Sequence, residues 1–134
     1  MTFKYKMEAR DHECDVQGVV NNAHYQHYFE HARHVFLKQN ELDFAALARQ
    51  HINLMVKKIE IEYLHSLSAH DQFYITVHVN KLSKIQYRFS QSLHLQNNHT
   101  LMARANTDVV TVGERHKLLR HSPLESLIHA TQTP

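Results

Sequence analysis

From Lys57 to Val112 the chain alternates apolar and polar residues in four successive runs, and one long stretch of helical periodicity precedes them. Lys57, Ile59, Ile61 and Tyr63 oppose Lys58, Glu60 and Glu62. Phe73, Ile75, Val77 and Val79 oppose Tyr74, Thr76 and His78. Ile85, Tyr87, Phe89, Leu93 and Leu95 form a third face, and residues 100–112 a fourth. Period-two patterning of this kind predicts half-buried strands. A further strand is predicted at the start, where Phe3, Tyr5, Met7 and Ala9 alternate with Lys4, Lys6, Glu8 and Arg10. Between them, Tyr25, Tyr28, Phe29, Ala32, Val35 and Phe36 recur at the spacing of an amphipathic helix over residues 23–38, free of Gly and Pro. A short helical patch follows at 44–49, and 124–129 predicts a closing helix with Pro123 at its first turn. The polar links at 65–71, 81–84 and 96–99 predict antiparallel hairpins. One strand, one long helix and four strands define an α+β domain, an antiparallel five-stranded sheet wrapped around one central helix.

At 134 residues this is one domain, able to bury roughly two thirds of its unfolded surface. It is expected over residues 1–130, with 131–134 a polar tail. A net charge of +2 and the absence of a basic run or Cys/His finger spacing argue against a nucleic-acid partner. No run is long and apolar enough to span a membrane, and the N-terminus alternates instead of forming an apolar signal core, so no membrane partner is expected. Cys14 is the sole cysteine, which excludes an internal disulfide and suits a reducing, cytoplasmic setting. With Glu13 and Asp15 on either side, its thiol should be hard to ionise.

The chemistry concentrates between Asp15 and Arg33. Asp15 precedes Gly18, one of two glycines in the chain, and the long helix begins directly afterwards. A helix N-terminus carries unpaired N–H groups and partial positive charge, so it polarises a carbonyl or holds an oxyanion. A carboxylate beside it can serve as nucleophile or general base on that carbonyl, which points to acyl chemistry. Asn22 is the expected N-cap.

The run Asp15-x-x-Gly18-Val19-Val20-Asn21-Asn22-x-x-Tyr25, followed by Glu30-x-Ala32-Arg33, resembles the motif of hot-dog-fold acyl-CoA thioesterases, the 4-hydroxybenzoyl-CoA thioesterase-like family. The order of elements on both sides fits as well. Asn21-Asn22 is similar to the long-chain acyl-CoA and acyl-carrier-protein branches, Val19-Val20 to the short-chain and aromatic branch. The resemblance implies a hot-dog fold and hydrolysis of an acyl-CoA to a carboxylic acid and coenzyme A, with acyl carrier protein as an alternative carrier. It implies that Asp15 attacks the thioester or activates water, and that the backbone N–H of Asn22 holds the thioester oxygen. Gly18 would leave room for substrate, and Val19, Asn21 and Tyr25 would line it, the acyl group lying beside Tyr25, Tyr28 and Phe29. Lys84 would contact coenzyme A phosphates, with Arg88, Arg104, Arg115, Lys117 and Arg120 as further candidates. A homodimer or homotetramer with sites at the interface is implied, and no metal or redox cofactor is required.

Glu30 and Arg33 are spaced as a surface ion pair, which the family pattern turns into a supporting role near the site. His24, His27, His31 and His34 form a stripe along the helix, expected to be a solvated or interface-lining face, since no His-Glu-x-x-His pattern is present. Two other classes fit such a domain: a hot-dog dehydratase or hydratase, whose usual His-Phe-Pro motif is missing, and a non-catalytic acyl-binding module.

Overall fold

The computed structural model describes residues 2–131. The tail expected at 131–134 falls, beyond Thr131, outside the described residues. Five strands form one antiparallel sheet: β1 (Phe3–Glu8), β2 (Asn53–Tyr63), β3 (Gln72–Lys81), β4 (Gln86–Leu95) and β5 (Leu101–Val112). The helices are α1 (Asn22–Gln39), α2 (Phe44–Arg49) and α3 (Glu125–Thr131). Strand order is β1-β3-β4-β5-β2, so the two edges are β1 and β2. This is the hot-dog arrangement: the sheet wraps α1, whose buried face is Tyr25, Tyr28, Phe29, Ala32, Arg33, Phe36 and Leu37.

The links at 82–85 and 96–100 are the expected hairpins, because β3–β4 and β4–β5 are direct neighbours. The link at 64–71 is not a hairpin. β2 pairs with β5 at one edge and β3 lies next to β1, so this segment crosses the end of the sheet. In crossing it supports the Asp15 loop: the Val20 N–H donates to the Leu67 carbonyl at 2.7 Å, and Val19 bridges to Ser68.

β2 begins four residues before the expected run and contains a bulge between Val56 and Lys58. Lys57 is the extra residue, and the bulge shifts the side-chain alternation by one. Leu54, Val56, Ile59, Ile61 and Tyr63 therefore stand opposite Thr111, Val109, Thr107, Ala105 and Ala103, the buried residues of β5. The apolar face of β2 is continuous across a sequence that does not alternate continuously.

No helix among the described residues is long and apolar enough to cross a membrane.

Candidate active site

The loop between β1 and α1 is a small hairpin stapled at its base. Cys14 bridges to Val20, the Asn21 N–H donates to the Glu13 carbonyl at 2.9 Å, and the Asp15 N–H donates to the Val19 carbonyl at 2.9 Å. The tip closes through Gly18, whose N–H donates to the Asp15 carbonyl at 3.0 Å. Gly18 has φ +81°, a region that favours glycine, and an added Cβ would meet nothing within 4 Å. Conformation, with open space beside it, accounts for the glycine.

Asp15 lies exposed on this tip. Its Oδ1 accepts the Gln17 N–H at 2.8 Å and the Val19 N–H at 3.4 Å, an Asx turn that fixes the carboxylate against its own loop. Oδ2 has no hydrogen-bond partner among the described residues. Val19 is half-buried, and the Asn21 Oδ1 accepts the Ala23 N–H at 3.0 Å. Asn21, not Asn22, is thus the N-cap: its backbone is extended (φ −63°, ψ 137°), while Asn22 is the first helical residue. This correction leaves the Asn22 N–H as the leading amide of α1, without an acceptor among the described residues. No acidic side chain occupies the first turn, so no carboxylate within the helix offsets the positive end of its dipole.

Tyr25 belongs to the core. It is 2% exposed, its hydroxyl accepts the Leu67 N–H at 2.8 Å, and its ring meets Tyr63 at 5.3 Å. Tyr28 and Phe29 are equally sealed. The open apolar surface lies instead on the neighbouring flank, along β2, where Val56 and Tyr63 are exposed.

Glu13 went unrecognised as part of the site, because a Glu in a polar loop carries no burial signal. It is buried, and its Oε1 accepts the Tyr28 hydroxyl at 2.7 Å and the Arg10 N–H at 2.8 Å. Burial alone would raise its pKa, but the Tyr28 and Arg10 hydrogen bonds, with the Arg10 and His24 charges, hold it below the ordinary value. Burial first, and then the Glu13 bond, push the Tyr28 hydroxyl well upward, so it stays a donor. Through this pair the Asp15 loop is tied to α1. The Cys14 thiol is pushed up by desolvation and by Asp11, Asp15 and Glu13, which disfavours a nucleophilic thiolate.

Arg33 is not a surface residue. It is 6% exposed, and its Nη1 donates to Gln91 Oε1 at 3.1 Å and Thr107 Oγ1 at 3.3 Å. Glu30 is exposed and makes no ion pair with it among the described residues. In the histidine stripe, His24 and His27 rings sit 5.8 Å apart and His31 packs on Tyr5. Among the described residues no group of three or more His, Cys, Asp or Glu could hold a metal ion.

Lys84 lies in the β3–β4 hairpin, at the opposite end of the sheet from Asp15. The ten residues of β3 separate the two ends by roughly 30 Å at about 3.3 Å per residue. Lys84 shares a cavity of about 600 Å³ with Lys81, Arg120 and His121. Arg88 is paired with Asp108 at 2.7 Å and Arg104 with Glu62 at 2.8 Å, while Arg115 and Lys117 are exposed.

The model of the thioesterase-like superfamily matches residues 9–125, and the chain belongs to that family. The chain is 26% identical over 115 residues to the chloroplastic acyl-acyl carrier protein thioesterase ATL3 of Arabidopsis thaliana, covering 86% of this chain. It spans 60% of that relative's length. It is 26% identical over 111 residues to the acyl-CoA thioesterase YbgC of Haemophilus influenzae, covering 82% of this chain and 80% of the relative. In fold it superposes on Slr0204, a 1,4-dihydroxy-2-naphthoyl-CoA thioesterase from Synechocystis, over the full length of both chains with a TM-score of 0.91 at 18% identity.

Proposed function

We propose that this protein hydrolyses an acyl-CoA thioester to a carboxylic acid and coenzyme A, with Asp15 and the Asn22 amide as its reacting groups. The observation that carries this is the stapled loop: it holds an exposed carboxylate, with Oδ2 unbonded, on a hairpin whose second arm runs directly into the N-terminus of α1, where the first turn has no acidic side chain. The names of the relatives support it. Either Asp15 takes a proton from water, whose oxygen attacks the thioester carbon, or the carboxylate attacks directly and the anhydride is then hydrolysed. In both routes the developing oxyanion lies on the Asn22 N–H, the C–S bond breaks, and the thiolate leaves as coenzyme A. Gly18 keeps the approach open, and Val19 and Asn21 shape its wall.

Two copies complete this site. β1, the shorter edge, is six residues with Lys4, Lys6 and Glu8 outward, which discourages pairing. β2 is eleven residues long, and Met55, Val56, Tyr63 and Leu64 at this edge are all more than two fifths exposed. Symmetric antiparallel pairing of β2 with a second β2 sets the end near Asn53 of one copy against the end near Tyr63 of the other. That brings the Lys84 and Arg120 cavity of one protomer toward the Asp15 loop of its neighbour, where it can take coenzyme A phosphates.

The test is an acyl-CoA panel read with a thiol reagent, for wild type and Asp15→Asn. Release of free coenzyme A by wild type, and loss of at least a hundredfold in kcat in the variant with its fold retained, is the expected result. No release from any acyl-CoA or acyl carrier protein thioester would leave an acyl-binding module. Near-wild-type kcat in Asp15→Asn would remove Asp15 from the mechanism.

A further inference from the structure

Tyr63 joins the sheet to the start of α1. It closes β2, and its hydroxyl donates to the Asn22 carbonyl at 3.3 Å. Its ring stands edge-on to the Tyr25 ring, with centroids 5.3 Å apart and an interplanar angle of 88°. Tyr25 is buried and its hydroxyl is fixed by the Leu67 N–H, so the Tyr63 ring leans on a held neighbour. Across the ladder Tyr63 faces Ala103, too small to contend for that space.

Other bonds that set the first turn come from the Asp15 loop and from the helix itself. The Glu13 carbonyl takes the Asn21 N–H, the Asn21 Oδ1 takes the Ala23 N–H, and the Asn21 carbonyl takes the His24 N–H at 2.9 Å. Tyr63 is the donor that ties the same turn to β2. The carbonyl it holds and the amide proposed to meet the oxyanion belong to one residue, Asn22, so a shift of the first redirects the second. Misplacement of about 1 Å in a reacting geometry costs a large factor in rate.

In a single chain this tie is weak. Its length exceeds the roughly 2.5–3.0 Å usual for a hydroxyl donor. Tyr63 is also 43% exposed, so water competes for both groups. The flank left open is the one a second copy would cover. In the β2 pairing proposed above, the end near Asn53 of one protomer lies against Tyr63 of the other. A hydrogen bond shielded from water is electrostatically stronger.

We propose that Tyr63 is a positioning residue for the Asn22 amide and that pairing of the β2 edges controls it: the neighbour's β2 excludes water from the Tyr63–Asn22 bond and thereby fixes the first turn of α1. The inference rests on the proposed reaction for the role of Asn22 and on the proposed pairing for its regulation.

The experiment combines kinetics with amide hydrogen exchange over residues 22–26. In Tyr63→Phe, which keeps the ring, kcat should fall about 3- to 10-fold, the range for one neutral hydrogen bond, while KM stays within about twofold. Exchange over the first turn should accelerate by a similar factor. Unchanged kcat and exchange, or a rise in KM at constant kcat, overturns the positioning role. Met55→Lys with Val56→Lys keeps the hydroxyl but weakens pairing. Its exchange over residues 22–26 should quicken in step with loss of the dimer, and adding Tyr63→Phe should quicken it little further. Equal protection in monomer and dimer overturns the control by pairing. Wild type diluted through dissociation makes the same comparison without any substitution, so a variant that fails to fold leaves the test intact. The exchange readout needs no substrate. Hydrolysis with protection indifferent to pairing refutes the inference alone, whereas pairing-dependent protection without hydrolysis sustains the Tyr63 tie and refutes the proposed reaction.

Discussion

Replacing Tyr28 with phenylalanine removes a single hydroxyl and isolates the bond that ties the Asp15 loop to α1. The ring should stay in place, since it packs 5.0 Å from Phe73 and 6.0 Å from Tyr25, so neither a cavity nor an overpacked core is introduced. What is lost is a 2.7 Å donation to a buried carboxylate. Hydrogen bonds to charged groups contribute about 1.5–3 kcal/mol, and Glu13 keeps its second donor, the Arg10 N–H, so the lower half of that range is expected. The loss should also reach the chemistry. The Glu13 carbonyl holds the Asn21 N–H, so loosening Glu13 frees both arms of the loop, and kcat should fall more than KM rises.

The pH dependence separates this account from a generic packing defect. The folded state holds the Glu13 pKa below its ordinary 4.5, so its ionised form contributes stability above that value. That contribution disappears as the pH falls through the lowered folded value. In Tyr28→Phe a main lowering influence is gone while burial still pushes upward, so the variant loses the contribution at a higher pH. Urea melts should therefore show the full deficit at neutral pH and a gap that narrows as the pH falls through the lowered folded value, below which the carboxyl is protonated in both proteins. A deficit under roughly 0.5 kcal/mol at neutral pH, within the range of inconsequential substitutions, would refute the reasoning. So would a gap that persists unchanged into acid.

Two further outcomes follow from the proposed dimer. Light scattering at micromolar concentration should give a mass of at least twice 15.8 kDa, and Met55→Lys with Val56→Lys on the β2 edge should lower it; a stable wild-type monomer would contradict the pairing. If Lys84 holds coenzyme A phosphates, raising ionic strength should raise KM with little change in kcat, and Lys84→Ala should reproduce part of that rise; a KM indifferent to salt would move the nucleotide site elsewhere.

The parts of this fold that the sequence shows plainly are those set by local periodicity. The α1 stripe and the four alternating runs are visible because each element buries one face, and that face repeats at the period of its backbone. Strand order leaves no such trace. The 64–71 link is as short and polar as a hairpin, yet it carries the chain across the sheet, because what places it is the Asp15 loop bonded to Leu67 and Ser68, nearly fifty residues earlier. The N-cap differs from expectation by one residue, since adjacent asparagines offer the same side chain and only the backbone turn selects Asn21.

The two buried charges show the same limit at the site. Glu13 and Arg33 both lie in patterns that ordinarily mean surface, a polar loop and an i, i+3 pair with Glu30. Each is buried by partners distant in sequence: Tyr28 lies fifteen residues from Glu13, while Gln91 and Thr107 lie 58 and 74 residues from Arg33. A charged side chain is kept in such a position only where neighbouring groups offset its desolvation. For Glu13 two donors serve one carboxylate oxygen, and the consequence is a fixed loop. For Arg33 two neutral acceptors serve one guanidinium nitrogen, and the side chain also lines a cavity with Glu30 and His34. In the proposed mechanism the first charge positions the loop that carries Asp15. Under the proposed chemistry the first of these sites, at the start of α1, supports the reacting groups, and the second, in the later half of the helix, joins α1 to β4 and β5 through Gln91 and Thr107.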